Sequence, residues 1–288
     1  MKTLSPVPLT PGLYLIATPI GNLRDITLRA LEVLAGVDVV ACEDTRMTGK
    51  LLEAHGIKAP KLIVYNDHNA DASRKGILDM LAQGRRVALV SDAGTPLISD
   101  PGYKLVRDAQ DLGLNVTSLP GANALLTALQ LSAQPTDKFS FLGFLPAKDK
   151  ARRDVLKEWR AVPGTLVTYE TGPRLIDSLR AMADVLGGDR PAAVTRELTK
   201  MYEEVRRDTL ANLVKYYEET GEPKGEIAIV IGPGAQAAVT EEDVKARLTA
   251  LLGHLSVRDA AAQVADETGM PKKEAYELAL TVRRGADA

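Results

Sequence analysis

Residues 90–103 read VSDAGTPLISDPGY, which places two carboxylates, Asp92 and Asp100, among turn-forming glycines and prolines directly behind the apolar run RVALV. A strand-to-helix connection in an α/β unit needs only about two to six residues. This one is longer, rigid and polar, so it is expected to hold a ligand. Its glycines do not follow G-x-G-x-x-G and no Gly-Lys-Ser/Thr follows them, so neither a dinucleotide fingerprint nor a nucleotide-phosphate cradle is present. No Lys or Arg adjoins Asp92 or Asp100, as a pyrophosphate would require. Carboxylates and backbone carbonyls suit a ligand with ammonium and hydroxyl donors, and an amino-acid-bearing nucleoside fits that better than a triphosphate.

The elements that must position this loop follow from periodicity. Short Val/Ile/Leu-rich runs at 12–17, 37–42, 61–65, 86–90 and 115–119 alternate with helical patterns, including 70–84 and one from Tyr103, which predicts a parallel sheet covered on both faces. In such sheets ligands bind beyond the carboxyl ends of the strands. The loops there are TPIGN, CEDTR, NDHN, SDAGTPLISDPG and LPGAN. Each alone reads as a turn; five at one edge read as a site. The polar stretch SAQPTDK (132–138) divides this first α/β domain (1–134) from a second (135–234), whose runs FSFLGFL, GTLVTYE, RPAAVTRE and GEIAIVI alternate with helical patterns at 150–161, 173–187 and 208–219. An extension, 239–288, reads as helices only.

The 288 residues suffice for about two domains, and 45% hydrophobic with 26% charged residues excludes a disordered or fibrous chain. With 36 basic against 38 acidic residues, any contact to nucleic acid must be local. His55, His68 and His254 lie far apart with no partner at ligand spacing, so no metal is expected. One cysteine, Cys42, and no apolar leader lead to the expectation of a cytoplasmic chain without disulfides. No apolar stretch approaches the roughly 18 residues of a membrane span.

TPIGNL (18–23), EDTR (43–46), SDAGTPLISDPG (91–102), LPG (119–121), GFLP (143–146), RELTK (196–200) and KGE (224–226), in that order, resemble the ribosomal-RNA (cytidine-2'-O)-methyltransferase branch of the tetrapyrrole-methylase superfamily. The resemblance implies a two-domain α/β enzyme, usually a homodimer, with S-adenosylmethionine in the cleft between its domains. Gly94, Thr95 and Pro96 match the superfamily's Gly-Asp-Pro cofactor turn, with Thr95 replacing the aspartate. Asp92, Ala93 and Ile98 flank it, Pro120, Gly121, Asn123 and Ala124 follow as small cofactor contacts, and Tyr169 belongs to the expected adenosine wall. The branch commonly has a histidine before Arg174, where this chain has Pro173.

Methylating a ribose hydroxyl of 16S ribosomal RNA, within the small subunit, calls for a base, and Asp100, Glu43 and Glu170 are the candidates. Asp100 could equally cap the helix that begins at PGY. Candidate RNA contacts are Asn22, Arg24, Arg46 and Arg174, with Lys148 in a stretch, 142–160, that also holds Lys150, Arg152, Arg153, Lys157 and Arg160; a solvated helix face would read alike. In the tail, Ser256 and Asp259 form a capping-box pattern, Gly269 can close one helix and Pro271 opens the next, which resembles a helix-turn-helix. Lys272 and Lys273 stand at the second helix's start, placed for phosphates. Rival readings are a precorrin or diphthamide-pathway methylase, and a cofactor-sensing RNA-binding module without turnover.

Overall fold

The computed structural model describes residues 8–66, 70–234, 241–268 and 270–286, in two units, Met1–Gly234 and Ala235–Ala288. His68 and Gly269 fall outside the described residues. In the first unit, β1 (Gly12–Ile16), β2 (Val39–Cys42), β3 (Lys61–Val64), β4 (Arg86–Val90) and β5 (Val116–Leu119) form a parallel sheet in the order β3-β2-β4-β1-β5. Successive side chains of a strand face opposite sides. Tyr14, Ile16, Val40, Cys42, Ala88 and Val90 therefore pack with Leu31 and Leu34 of α1 (Leu28–Gly36) and Leu51 and Leu52 of α2 (Thr45–Ala54). Their neighbours Leu13, Val39, Ala41, Val87 and Leu89 meet Ile77 and Leu81 of α3 (Ala70–Ala82) and Leu105 and Ala109 of α4 (Tyr103–Asp111). Each such aliphatic side chain contributes about 1.5–3 kcal/mol on full burial.

The second sheet runs β6 (Phe139–Phe144), β7 (Thr165–Thr171), β10 (Glu226–Ile231), β8 (Pro191–Arg196), β9 (Glu204–Thr209), with only β6 and β7 parallel. Strand β9 has no counterpart in the sequence reading, because EVRRDT contains no apolar run. It is an edge strand, where charged side chains also discourage pairing with other chains. One face of this sheet is covered by α6 (Asp149–Arg160), α7 (Gly172–Leu186) and α8 (Leu210–Thr220). The other face buries Val167, Ala193, Ala228 and Val230 against Ile20 and against Leu125, Ala128 and Leu129 of α5 (Ala124–Leu131). A helix that leaves the first sheet thus covers the second. The stretch 132–138 is also tied down, with Ser132 Oγ donating to Leu129 O (2.7 Å) and Thr165 Oγ1 to Pro135 O (2.6 Å).

The second unit is α9 (Glu241–Leu252), α10 (Val257–Thr268) and α11 (Lys272–Ala286) around a core that includes Val244, Leu248, Val264, Ala275 and Ala279. Ser256 caps α10: its Oγ accepts from Asp259 N (3.2 Å) and donates to Asp259 Oδ2 (2.6 Å). Pro271 immediately precedes α11, and its carbonyl accepts from Glu274 N (2.9 Å) and Ala275 N (3.0 Å).

At the start of α7, a Cβ on buried Gly172 would fall inside the contact radius of the Pro223 carbonyl oxygen. Overpacking against backbone of this kind typically costs about 1–3 kcal/mol. Gly172→Ala is expected to lower the unfolding free energy by that amount, read as a lower urea midpoint with an unchanged m-value; an unchanged midpoint would refute the close approach.

Candidate functional site

The loops after β1, β4 and β5 are stitched together by hydrogen bonds. Thr18 N donates to Gly94 O (2.9 Å) and Gly94 N to Thr18 O (3.0 Å), while Ser91 Oγ donates to Gly94 O (3.0 Å) and Thr18 Oγ1 to Ser91 O (3.0 Å). Gly94 has φ +89°, a conformation that a side chain disfavours, and a Cβ there would press on Ile20 Cγ2 at 3.2 Å. Thr95 Oγ1 donates to Ala122 O (3.1 Å) and accepts from Asn123 Nδ2 (3.0 Å); Asn123 Oδ1 also accepts from Leu126 N (3.1 Å), capping α5. The loop after β2 joins through exchanged bonds: Asp92 N donates to Glu43 Oε1 (3.2 Å) and Asp44 N to Asp92 Oδ1 (3.1 Å). Burial raises the Asp92 carboxyl above the ordinary range, only partly offset by the bond from Asp44 N.

The opposite wall comes from the second sheet. Tyr169 on β7 accepts from Leu125 N (3.1 Å) at its hydroxyl, and burial pushes that hydroxyl's pKa up. Beside it lie Leu198, Gly225 and the start of β10, residues 226–228. Lys200 Nζ bridges Glu197 Oε1 (2.8 Å) and Glu226 Oε2 (2.9 Å), and its stem packs over Gly21 of the first loop. Between the walls lies a cavity of about 300 Å³. Glu43, Asp92, Asp100, Glu170 and Glu226 line it, whereas among the described residues no Lys, Arg or His does.

Of the residues assigned to the cofactor from sequence, Asp92, Ala93, Gly94, Thr95, Ile98, Asn123, Ala124 and Tyr169 line this cavity. Pro96 is buried behind the loop, Pro120 is exposed, and Gly121 packs on Ala17, whose Cβ would lie 2.8 Å from a Cβ at 121. These three shape the loops instead of lining the cavity. Asp100 lines it and does not cap α4, since the N-cap is Gly102 (φ +139°) with no side-chain cap bond. Glu170, another candidate base, also lines the cavity. Its side chain has no solvent exposure: Oε2 accepts from Ser178 Oγ (2.5 Å), Oε1 accepts from Thr171 N (2.9 Å) and lies 3.2 Å from Arg174 Nε. Both carboxylate oxygens are engaged, so Glu170 positions Arg174, which in turn donates to Leu145 O.

The Arg174 side chain, held by Glu170 and the Leu145 carbonyl, is 30% exposed. Pro173 sits in the first turn of α7, where a missing N–H is tolerated. Asn22 caps the short 3₁₀ turn Leu23–Asp25, and Arg24 is exposed on it. Arg46 folds back on Asp44 (2.6 Å), and that bond holds the Asp44 carboxyl down to about 2. In α6, Arg152 is buried, Arg153 pairs with Asp149 and Asp184, and Lys157 pairs with Asp154; Lys148 at its start is exposed. Three of the six cations of that stretch, Arg152, Arg153 and Lys157, are thus engaged internally. Lys272 and Lys273 are exposed on α11 of the second unit.

Sequence reasoning assigned no role to Ile20, Phe144, Leu198, Gly225, Ile227 or Ala228, although they complete the cavity wall. Five of them lie within the recurring segments TPIGNL, GFLP, RELTK and KGE or next to one, a signal of place but not of direction. Among the described residues, no cluster of three or more His, Cys, Asp or Glu could hold a metal ion, and no helix is long and apolar enough to cross a membrane.

Comparison with known proteins agrees with this architecture. Residues 12–214 match the family described as Tetrapyrrole (Corrin/Porphyrin) Methylases, and residues 238–283 match the RsmI C-terminal HTH domain. Ribosomal RNA small subunit methyltransferase I of Mesorhizobium japonicum is 47% identical over 276 residues, 96% of this chain and 94% of that protein. Its counterpart in Erythrobacter litoralis is 50% identical over 276 residues, covering 96% and 97%. Among solved structures, uroporphyrin-III C-methyltransferase from Thermus thermophilus complexed with S-adenyl homocysteine aligns with TM-score 0.54 at 18% identity, covering 77% of this chain and 97% of that one. Diphthine synthase aligns with TM-score 0.58 at 16% identity, covering 76% and 89%. Such low identities bear on the fold alone. With the family match spanning residues 12–214 and relatives of 47 to 50% identity running almost end to end, the chain belongs to the tetrapyrrole (corrin/porphyrin) methylases.

Proposed function

We propose that the chain transfers a methyl group from S-adenosylmethionine to the ribose 2'-hydroxyl of a cytidine in 16S ribosomal RNA, acting on the small ribosomal subunit as a homodimer. The observation that carries the cofactor is the cavity lined by five carboxylates and, among the described residues, no cationic side chain, which suits a ligand bearing a sulfonium and an ammonium and repels a polyphosphate. Ile20, Leu198, Ile227 and Ala228 supply an apolar wall for adenosine, and Gly94 lets backbone approach closely. The relatives' name and the match at 238–283 support the RNA acceptor.

When bound, S-adenosylmethionine supplies an electrophilic methyl on a good leaving group. The chain's own residues have two tasks, alignment and proton removal. Alignment can be worth about 7–11 kcal/mol in favourable cases, and the cross-linked loops are pre-organised for it. General-base help is typically worth about 10²–10⁴-fold. Asp100 is the group placed to take the hydroxyl proton, since it lines both the main cavity and a second of about 270 Å³ that also includes Tyr103 and Lys104. Glu43 instead accepts from Asp92 N and holds the cofactor loop.

A precorrin or diphthamide-pathway methylase shares the fold, but Thr95 replaces the aspartate of that turn and the second, three-helix unit suits a macromolecular acceptor. A cofactor sensor would bind without forming the demethylated product, so turnover separates it.

Calorimetry without metal is expected to give a saturable S-adenosylmethionine isotherm. Thr95→Arg should abolish it while far-UV circular dichroism stays unchanged, because the new side chain fills the turn and the bonds to Ala122 and Asn123 are lost. Wild-type affinity in that variant would refute the loop's assignment. After incubation with unmodified small subunits, the methylated linkage should resist alkali, since its 2'-oxygen no longer attacks the neighbouring phosphodiester; an alkali-sensitive linkage or a methylated base would point to another acceptor. Deleting residues 239–288 should leave cofactor affinity nearly unchanged and weaken capture of the subunit. Lys272→Ala with Lys273→Ala should do so partly, with a shallower salt dependence. Unchanged affinity and salt slope in an intact dimer would make the tail structural.

A further inference from the structure

Phe144 is 52% exposed even though it lines the cavity. Its position is built by an irregularity in β6. The strand pairs with β7 in register through Phe141↔Val167, then slips so that Phe144 faces Tyr169, with Gly143 at φ +65° absorbing the shift. The ring is held edge-on to Tyr169 (centroids 5.6 Å apart), which is itself edge-on to Phe141 (4.8 Å). The slip also brings β6 to the ligand loop, where a Cβ on Gly143 would stand 3.6 Å from Ser99 Oγ, the residue before Asp100. The charge of Asp100 reaches the same place, as it helps to raise the pKa of the Tyr169 hydroxyl.

The cavity therefore has two kinds of apolar wall. Ile20, Leu198, Ile227 and Ala228 are enclosed, each below one-tenth exposure, whereas Phe144 presents a rigidly supported, half-open ring on the side of Asp100. An enclosed wall suits a small molecule that is swallowed whole. A half-open ring suits a base that arrives attached to a polymer, because unpaired RNA bases are read by stacking on aromatic side chains.

We propose that Phe144 is the stacking platform for the unpaired base of the acceptor nucleotide and thereby sets that nucleotide's ribose beside Asp100. This rests on the RNA-methylation reading, which wild-type turnover on unmodified small subunits tests by itself. With turnover present, Phe144→Leu is expected to raise KM for the subunit about tenfold, in line with the loss of one base–aromatic stack. Its Kd for S-adenosylmethionine by calorimetry should stay within about twofold of wild type, and Phe144→Trp should restore KM. An unchanged KM in a folded, cofactor-binding Phe144→Leu would overturn the proposal. A loss of cofactor affinity as large as the rise in KM would also overturn it, assigning the ring to adenosine.

Discussion

A parallel sheet delivers its loops to one edge, but loops rich in Gly, Pro and Ser have no reason of their own to stay in register with one another. Here the paired bonds between Thr18 and Gly94 remove that freedom. They extend the order of β1 and β4 beyond the sheet, and everything at the strand ends depends on them. The Ser91 hydroxyl binds the same Gly94 carbonyl, the Thr18 hydroxyl binds the Ser91 carbonyl, Thr95 reaches across to Ala122, and Glu43 with Asp92 ties in the loop after β2. The ligand cavity is the concave side of this network.

Rigidity of this kind carries strain. Leu97 (φ +73°) and Ser99 (φ +64°) on the ligand loop, and Glu197 (φ +49°) and Thr199 (φ +65°) on the facing turn, adopt left-handed backbone without being glycine. Each costs of order 1–3 kcal/mol and persists only where surrounding contacts over-determine it. On the first loop the overdetermination comes from the Gly94 clamp. On the second it comes from Glu203 accepting from Thr199 N and from Lys200 bridging Glu197 and Glu226. Both strained segments border the cavity, which is how Leu198 and Ile98 come to face it.

The charge pattern follows the same division of labour. Cations are kept out of the cavity by being engaged nearby: Arg174 by Glu170, Lys200 by two glutamates, Arg46 by Asp44. What faces inward is acidic, and Asp92 in particular is a carboxylate whose charge burial disfavours. A cationic ligand beside Asp92 would favour its charged form.

By itself the sequence determined the local features. Continuous apolar runs such as GLYLI, VVAC and RVALV between helical patterns specified a sheet covered on both faces, and Ser256 with Asp259 announced a helix start, because each of these depends on residues a few positions apart. The recurring loop segments marked the cavity's edge and most of its first wall. Only the tertiary structure decided that α5 covers the second sheet, that EVRRDT pairs as an edge strand, and that Arg152 is buried. It alone also set the Glu170 oxygens against Thr171, Arg174 and Ser178, and Asp100 at the border of two cavities, though the two read alike as carboxylates near a strand end. The physical reason is that a side chain's direction and desolvation are set by contacts distant in sequence, such as the slip of β6 against β7 that turns Phe144 toward the ligand loop.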